Sequence, residues 1–211
     1  MRKQMNNEES VVDLKFNEGD LIFDEHQQLQ GIYCIKKGVC KISKMSANGK
    51  EQIIHFLKEG TLLGIRCLLN GETTNLKTRA LTPVEVCYVS KKNFFDTLLK
   101  NRTFLNQLLE TFAQHLKNTD DRIVIMGQNK MMERLAHFLI HLHKTFGEDQ
   151  QGNLKLYLKR EDMASYIGVT IESTIRMLKS FEHKGLILLK GKSLKLINIP
   201  RLNNISKGFN C

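Results

Sequence analysis

At 211 residues, with 41% hydrophobic and 26% charged side chains, the chain has the composition of an ordinary globular protein and room for one large domain or two modest ones. No apolar run approaches the roughly 18 residues of a membrane span, and the first ten residues lack the apolar core of a signal peptide, so we expect a cytoplasmic protein with no membrane partner. The net charge is +10, and residues 129–211 carry most of it, with 14 Lys and Arg against 7 Asp and Glu, which favours a polyanionic partner for the C-terminal part.

Residues 11–90 have the pattern of a β-rich domain, in which short apolar runs are separated by turn glycines. This spacing predicts a sandwich or barrel. Asn48-Gly49 is a hairpin signal, because both residues tolerate the positive φ of a tight turn. No Ser/His/Asp set, phosphate-binding loop or carboxylate pair is visible here, so we expect neither an enzyme nor a cofactor. The strand candidates are 21–23, 32–35, 39–43, 52–57 and 84–89.

The cysteines are irregularly spaced and form no CxxC motif. In a cytoplasmic chain we expect free thiols, most of them small core residues, and no metal site. A cluster held by the first four cysteines stays open as an alternative, and the pattern leaves open whether any thiol is redox-active. The five are Cys34, Cys40, Cys67, Cys87 and Cys211.

The hydrophobic period changes in residues 101–128, where a long helix is predicted. Its stripe repeats at alternating steps of four and three residues, which is the a/d seam of a coiled coil and predicts a parallel homodimer. A helix lying on its own β domain also needs an apolar stripe and is the alternative. Thr119 is the polar seam position and Asp120 follows it, so a contact other than packing is expected there. The seam is Leu105, Leu109, Phe112, Leu116, Thr119, Ile123 and Met126.

Further helical periodicity predicts a helix over residues 131–146 and a short strand over 154–158. His137, His141 and His143 lie near one another on the helix, and we interpret them as a solvated face with a histidine or two rather than as a metal site, because no further ligands are spaced for one. Two shorter helices, 160–167 and 171–183, then form a helix-turn-helix. Gly168 ends the first helix in a left-handed conformation, and Thr170 caps the second through its hydroxyl. The second helix of such a motif enters the DNA major groove.

The outward face of the second helix carries the predicted recognition chemistry. Arg176 can bind guanine O6 and N7, and Glu172 can accept from cytosine N4. Ile171 and Ile175 can pack on thymine methyl groups, and Ser173 lies beside them. The alternative is an ordinary surface ion pair between Glu172 and Arg176, but a solvated face has no use for two isoleucines.

A β-hairpin is predicted over residues 186–197, and its tip carries Lys190 and Lys192, which suit phosphate contacts beside the groove. Together these elements predict an α+β protein with three parts. They are a β domain over 1–100, a dimerisation helix over 101–128 and a winged helix-turn-helix domain over 129–211.

In this order the motifs resemble the Crp/Fnr family of bacterial transcription regulators, with the DNA-recognition helix closest to the fumarate–nitrate branch. The resemblance implies a cyclic-nucleotide-binding-like β-roll, an activator that binds TTGA-like half-sites in an inverted repeat, and RNA polymerase as a partner. It rests on FxEGDxIF at 16–23, IYxIxxGxxKI at 32–42, GxxxG at 60–64, ERLAxF at 133–138, VTIESTIR at 169–176 and KGK at 190–192.

The phosphate-binding segment departs from the nucleotide-binding members. Where these have Gly-Glu, this chain has Gly64-Ile65, and Thr74-Asn75 stand in place of their Arg-Ser pair. Thr119 matches the dimer-helix threonine that contacts the base. A degenerate sensory roll with an unknown effector is therefore expected. A cyclic-nucleotide-responsive or redox- or haem-responsive allosteric protein of the same family is the alternative.

Overall fold

The computed structural model describes residues 11–209 and divides the chain into two compact units, with the boundary between Gln114 and His115 inside one long helix. Across the described residues, no helix combines the length and the apolar character that crossing a membrane requires.

The first unit is a β-roll of two four-stranded antiparallel sheets. Its strands are β1 (Val11–Phe16), β2 (Leu21–Phe23), β3 (Gly31–Lys37), β4 (Cys40–Met45), β5 (Glu51–Leu57), β6 (Leu62–Leu63), β7 (Lys77–Ala80) and β8 (Val84–Ser90). One sheet has the order β1-β8-β3-β6 and the other β2-β7-β4-β5. Helix α1 (Ile65–Asn70) follows β6, while α2 (Lys91–Asn93) and a π-helical turn (Phe94–Leu98) follow β8.

Alternating side chains of the two sheets form the core of this unit. Phe23, Ile35 and Val86 are among the residues buried between the sheets. A second cluster, which includes Ile32 and Phe94, fills the space under α1 and the start of the long helix. The predicted β-rich domain is confirmed, and β4 and β5 form the expected hairpin, whose loop spans residues 46–50 and contains Asn48-Gly49.

The long helix α3 (Arg102–Gln128) leads into the second unit, which contains α4 (Met131–Phe146), α5 (Arg160–Ile167), α6 (Ile171–His183), β9 (Ile187–Lys190), β10 (Ser193–Leu196) and α7 (Ile199–Ser206). Helix α4 buries its apolar side, including Leu135 and Phe138, and packs against α7, which sequence periodicity had not predicted. Strands β9 and β10 pair antiparallel as the expected wing.

The strand predicted over residues 154–158 is wrong. Leu154, Leu156 and Leu158 are buried in alternation, but the segment makes only isolated bridges, from Glu148 to Leu154 and from Asn153 to Lys195. An extended segment can bury every second side chain without a ladder of backbone hydrogen bonds, so the period of two did not require a strand.

Candidate nucleic-acid interface

The turn between α5 and α6 is held by backbone geometry. Gly168 has φ of +70°, which glycine adopts without steric cost. The N–H groups of Gly168 and Val169 both donate to the carbonyl of Ala164, at 2.9 and 3.1 Å. Thr170 then caps α6, because its Oγ1 accepts from the Ser173 N–H at 3.2 Å. These contacts set the direction in which α6 leaves the turn.

One side of α6 is anchored in the core of the second unit. Thr174, Met177, Leu178 and Phe181 are all buried, and the hydroxyl of Thr174 donates to the carbonyl of Thr170 at 3.1 Å. Because residues three and four apart share a helix face, the opposite side must point to solvent.

The outward side of α6 carries the residues predicted to contact bases. Ile171 and Ile175 are 38% and 39% exposed, although isoleucine is a residue that burial would stabilise. Arg176 donates from Nη2 to Ser173 Oγ at 3.1 Å, so its guanidinium is held on the same side of the helix by Ser173. The geometry leaves Ile171, Glu172, Ile175 and Arg176 together on one accessible face, which we call the recognition face.

The carboxylate of Glu172 is stabilised in its charged form. Its pKa is lowered first by its own backbone N–H, then by the hydroxyl of Thr170, and more weakly by the charge of Arg176. A helix N-terminus favours such a negative charge, since the first N–H groups are unpaired within the helix. Glu172 is therefore an acceptor at neutral pH, as an amino group of cytosine requires.

Two features beside the recognition face carry positive charge. Lys179 is exposed one turn beyond Arg176, and the sequence interpretation had passed over it although the spacing of three indicated the same side. At the wing tip, Lys190 and Lys192 are exposed, and the Lys192 ammonium lies 5.7 Å from the centre of the Tyr157 ring. Glu182 holds the wing to α6 by accepting from the Leu189 N–H at 2.9 Å.

A stacked group joins α3 to the helix-turn-helix within the second unit, and the sequence had not indicated it. The guanidinium of Arg122 lies 3.9 Å from the centre of the Tyr166 ring and donates to the Tyr166 carbonyl at 2.9 Å. Phe138 stacks on the same ring at 4.5 Å, and His141 lies beyond it at 6.4 Å. This group, the Arg122–Tyr166 stack, connects α3, α4 and α5.

The histidines near this stack do not form the solvated face that the sequence predicted. His137 and His141 are half-buried, and burial is the main cause that lowers the pKa of each. The positive charges of Arg122 and Lys144 lower both pKa values further. The spacing of apolar residues on α4 did not indicate that the two histidines are half-buried, because the residues that cover them come from α3 and α5.

The stripe predicted to form a dimer seam is largely uncovered in the single chain. Leu109, Leu116 and Ile123, seven residues apart, are 56%, 67% and 65% exposed. Leu105 and Met126 are half-buried, and Phe112 packs partly against the second cluster of the roll. The alternative of a helix lying on its own β domain therefore applies to the Phe104, Leu108 and Phe112 side of the helix.

The candidate effector residues of the roll do not form an evident anion-binding site. Gly64 caps α1 with φ of +85°, and Ile65 is buried in the second cluster. Thr74 is buried, donating to the Asp24 carbonyl and accepting from the Gln27 N–H at 3.1 Å, so its hydroxyl holds two loops together. Asn75 is exposed and accepts from Arg66, a cation that the sequence interpretation had passed over.

Thr119 and Asp120 belong to the second unit, and both are exposed. The Thr119 hydroxyl donates to the carbonyl of His115 at 2.9 Å, one turn back in its own helix. Its acceptor lone pairs stay available to solvent.

The cysteines lie in separate places. Cys34 and Cys87 face each other across β3 and β8, whereas Cys40 is buried on β4 in the other sheet and Cys67 is buried on α1. Burial raises the pKa of Cys40 to about 12. Among residues 11–209 no three His, Cys, Asp or Glu are grouped to hold a metal ion, and Cys211 lies outside the described residues.

Two family models match the chain, one over the β-roll and one over the helix-turn-helix domain. Residues 13–101 match the model of a cyclic nucleotide-binding domain, and residues 133–205 match that of a Crp-like helix-turn-helix domain. Across 192 residues the chain is 27% identical to the fumarate and nitrate reduction regulatory protein of Escherichia coli K12, covering 89% of this chain and 76% of the relative.

Solved structures share the fold over almost the whole chain. FixK2 from Bradyrhizobium japonicum superposes with a TM-score of 0.82 at 22% identity, covering 92% of this chain and 96% of the other. A CRP/FNR-family transcriptional regulator from Thermus thermophilus gives 0.79 at 16% identity, covering 94% and 100%. The c-di-GMP responsive regulator CLP from Xanthomonas campestris gives 0.78 at 18% identity, covering 89% and 94%.

Proposed function

Since the chain belongs to the Crp/Fnr family of DNA-binding transcription regulators, we propose that it acts as a homodimer on an inverted-repeat operator with TTGA-like half-sites. The observation that carries this proposal is the recognition face. Helix α6 buries one side and exposes Arg176 and Glu172 between two exposed isoleucines on the other. Such a face suits the major groove, where each base pair presents a distinct donor and acceptor pattern.

We assign the contacts by chemistry. Arg176 binds the guanine of the half-site with two hydrogen bonds, and Glu172 accepts from the paired cytosine. Ile171 and Ile175 lie against thymine methyl groups, and Ser173 orients the Arg176 guanidinium. Lys190 and Lys192 bind phosphates from the wing, and they fix position rather than sequence.

The operator geometry follows from the proposed two-fold dimer. Its seam runs along α3 and consists of Leu105, Leu109, Phe112, Leu116, Ile123 and Met126. Both recognition helices must then reach the same side of the duplex, so the half-sites are centred about one helical turn apart, ~10 base pairs. By the family resemblance, the bound protein activates transcription by contacting RNA polymerase, which transcription from a consensus promoter with purified components would test.

The decisive experiment compares Arg176→Ala with Lys192→Ala on two duplexes, the consensus and one with the guanine pair inverted. Arg176→Ala is expected to weaken consensus binding by about 1–3 kcal/mol per half-site and to reduce the preference between the duplexes, of which Glu172 retains a part. Lys192→Ala is expected to weaken both equally and to reduce the slope of log affinity against log salt by about 0.9 per protomer.

Lys50→Ala is the matched control, because it removes one exposed positive charge from the first unit at a loop outside α3. It should leave both affinities unchanged. If Arg176→Ala instead lowers affinity equally for the two duplexes, Arg176 is a phosphate contact and the assignment of the recognition face is wrong.

We propose further that the sensory roll has lost the grip on a cyclic nucleotide. The roll matches the nucleotide-binding family model, but Ile65 is buried and the Thr74 hydroxyl is committed to Asp24 and Gln27. Of the positions that contact the nucleotide in the family, this chain retains the one at Thr119, which lies beside Asp120 and matches the threonine that contacts the base. Two observations support the alternative, a nucleotide-responsive regulator. They are the likeness of the fold to that of CLP and the hydrogen bond from Arg66 to Asn75, the residue that follows Thr74.

A further inference from the structure

Two thiols on neighbouring strands of the roll form a pair that DNA binding does not use. Cys34 on β3 lies directly opposite Cys87 on β8 in antiparallel register. Residues in such positions have Cα atoms about 4.5–5.5 Å apart and side chains on the same face of the sheet. A disulfide spans Cα atoms about 4.4–6.8 Å apart, so this pair can be bridged without movement of the backbone.

Both cysteines of this pair are partly exposed to solvent. Cys40 and Cys67, by contrast, are buried. The strand order places β8 between β1 and β3, and the 2.7 Å ion pair between Lys36 and Asp13 connects these two flanking strands across it. The two thiols therefore lie on the face of the sheet opposite to Ile35 and Val86, which are buried between the sheets, and close to this ion pair.

We propose that Cys34 and Cys87 form a reversible intrachain disulfide when the protein meets hydrogen peroxide. One thiol sulfur attacks the peroxide, breaks its O–O bond and becomes a sulfenic acid, with release of water. The second thiol then attacks that sulfur, a second water leaves, and the S–S bond forms. The two thiols lose two electrons in total, and the hydrogen peroxide that gains them is reduced to two water molecules.

The surroundings favour the disulfide over a stabilised thiolate. Burial raises the pKa of Cys34, and the neighbouring Cys87 raises it further, while the charge of Lys36 opposes both. Strongly oxidising disulfides arise where the reduced thiolate is stabilised, which is not the case for Cys34. Once formed, the Cys34–Cys87 bond is therefore expected to be stable until a thiol reductant removes it.

Peptide mapping of the intact chain tests the proposal directly. Trypsin cleavage after Lys and Arg puts Cys34 in peptide 16–36 and Cys87 in peptide 80–91, and it separates both from the other cysteines. After treatment of reduced protein with hydrogen peroxide, the expected product is a cross-link between these two peptides. It should be lost on reduction with dithiothreitol and absent from Cys34→Ser and Cys87→Ser proteins.

Cys211→Ser is the matched control and should retain the cross-link. In the two single variants the remaining cysteine should instead be trapped as a sulfenic acid by dimedone. Wild-type protein whose Cys34 or Cys87 is oxidised by peroxide with no 16–36 to 80–91 cross-link would overturn the proposal. Mixed isotope-labelled and unlabelled protein that yields the cross-link between different chains would overturn it as well.

Discussion

Leu116→Ala should weaken the proposed homodimer strongly. Leu116 is the centre of the exposed stripe on α3 and keeps 67% of its surface accessible in the single chain. Burying a whole leucine side chain is worth about 1.5–3 kcal/mol, so covering the exposed two thirds contributes about 1–2 kcal/mol per protomer. The residue occurs twice in a symmetric dimer, which makes the expected loss about 2–4 kcal/mol, or roughly 30- to 700-fold in the dissociation constant.

Alanine is the appropriate replacement, because it keeps the helix intact while it removes the apolar contact. Val124→Ala is the matched control. Val124 is 58% exposed and apolar, but it lies one position off the seven-residue spacing of the stripe. Phe112 is a poor choice for this test, since it also packs against the second cluster of the roll.

Sedimentation equilibrium over a range of protein concentrations measures the dissociation constants. We expect Leu116→Ala to shift toward monomer at concentrations where wild-type and Val124→Ala proteins remain dimeric, and its operator affinity to fall in parallel. Equal dissociation constants for the two variants would refute the assignment of the seam to the stripe of Leu109, Leu116 and Ile123.

Three further outcomes are expected. Arg122→Ala should lower the free energy of unfolding by about 2–4 kcal/mol in urea titrations, because it removes the cation–π contact and the charged hydrogen bond to Tyr166. Arg122→Lys should lower the free energy of unfolding by less, because lysine keeps the charge but lacks the planar group. Unchanged stability in both variants would show that the stack is not stabilising. Because the pKa values of His137 and His141 are lowered in the folded protein, the unfolded chain binds more protons than the folded chain just below pH 6.5. The melting temperature should therefore fall as the pH drops through 6.5, and it should fall less in a protein with both His137→Gln and His141→Gln. An equal fall in that double variant would assign the pH dependence to other groups. Calorimetry should detect no micromolar binding of cyclic AMP and operator titrations no effect of it, since a ligand shifts an equilibrium only by its differential affinity; binding that strengthens operator affinity would establish the nucleotide-responsive alternative.

The sequence by itself determined the elements whose ends are set by neighbouring residues. Helices α5 and α6 begin and end where they were predicted, because Gly168 and Thr170 specify the turn through local backbone and capping contacts. Helix α4 and the wing followed from hydrophobic periodicity and turn chemistry. The side of α6 that faces solvent followed from the same period, since burying Met177 and Phe181 exposes Arg176.

Only the tertiary structure decided which distant residues meet. Arg122 and Tyr166 are 44 residues apart in the chain, and no local pattern encodes their contact. Register placed Cys34 opposite Cys87, and a slip of one residue would have turned one thiol to the other face of the sheet. Leu154, Leu156 and Leu158 alternate as a strand would, yet they lack a partner ladder. Periodicity reports which side of a segment is buried, whereas the covering partner is chosen by packing of the whole chain.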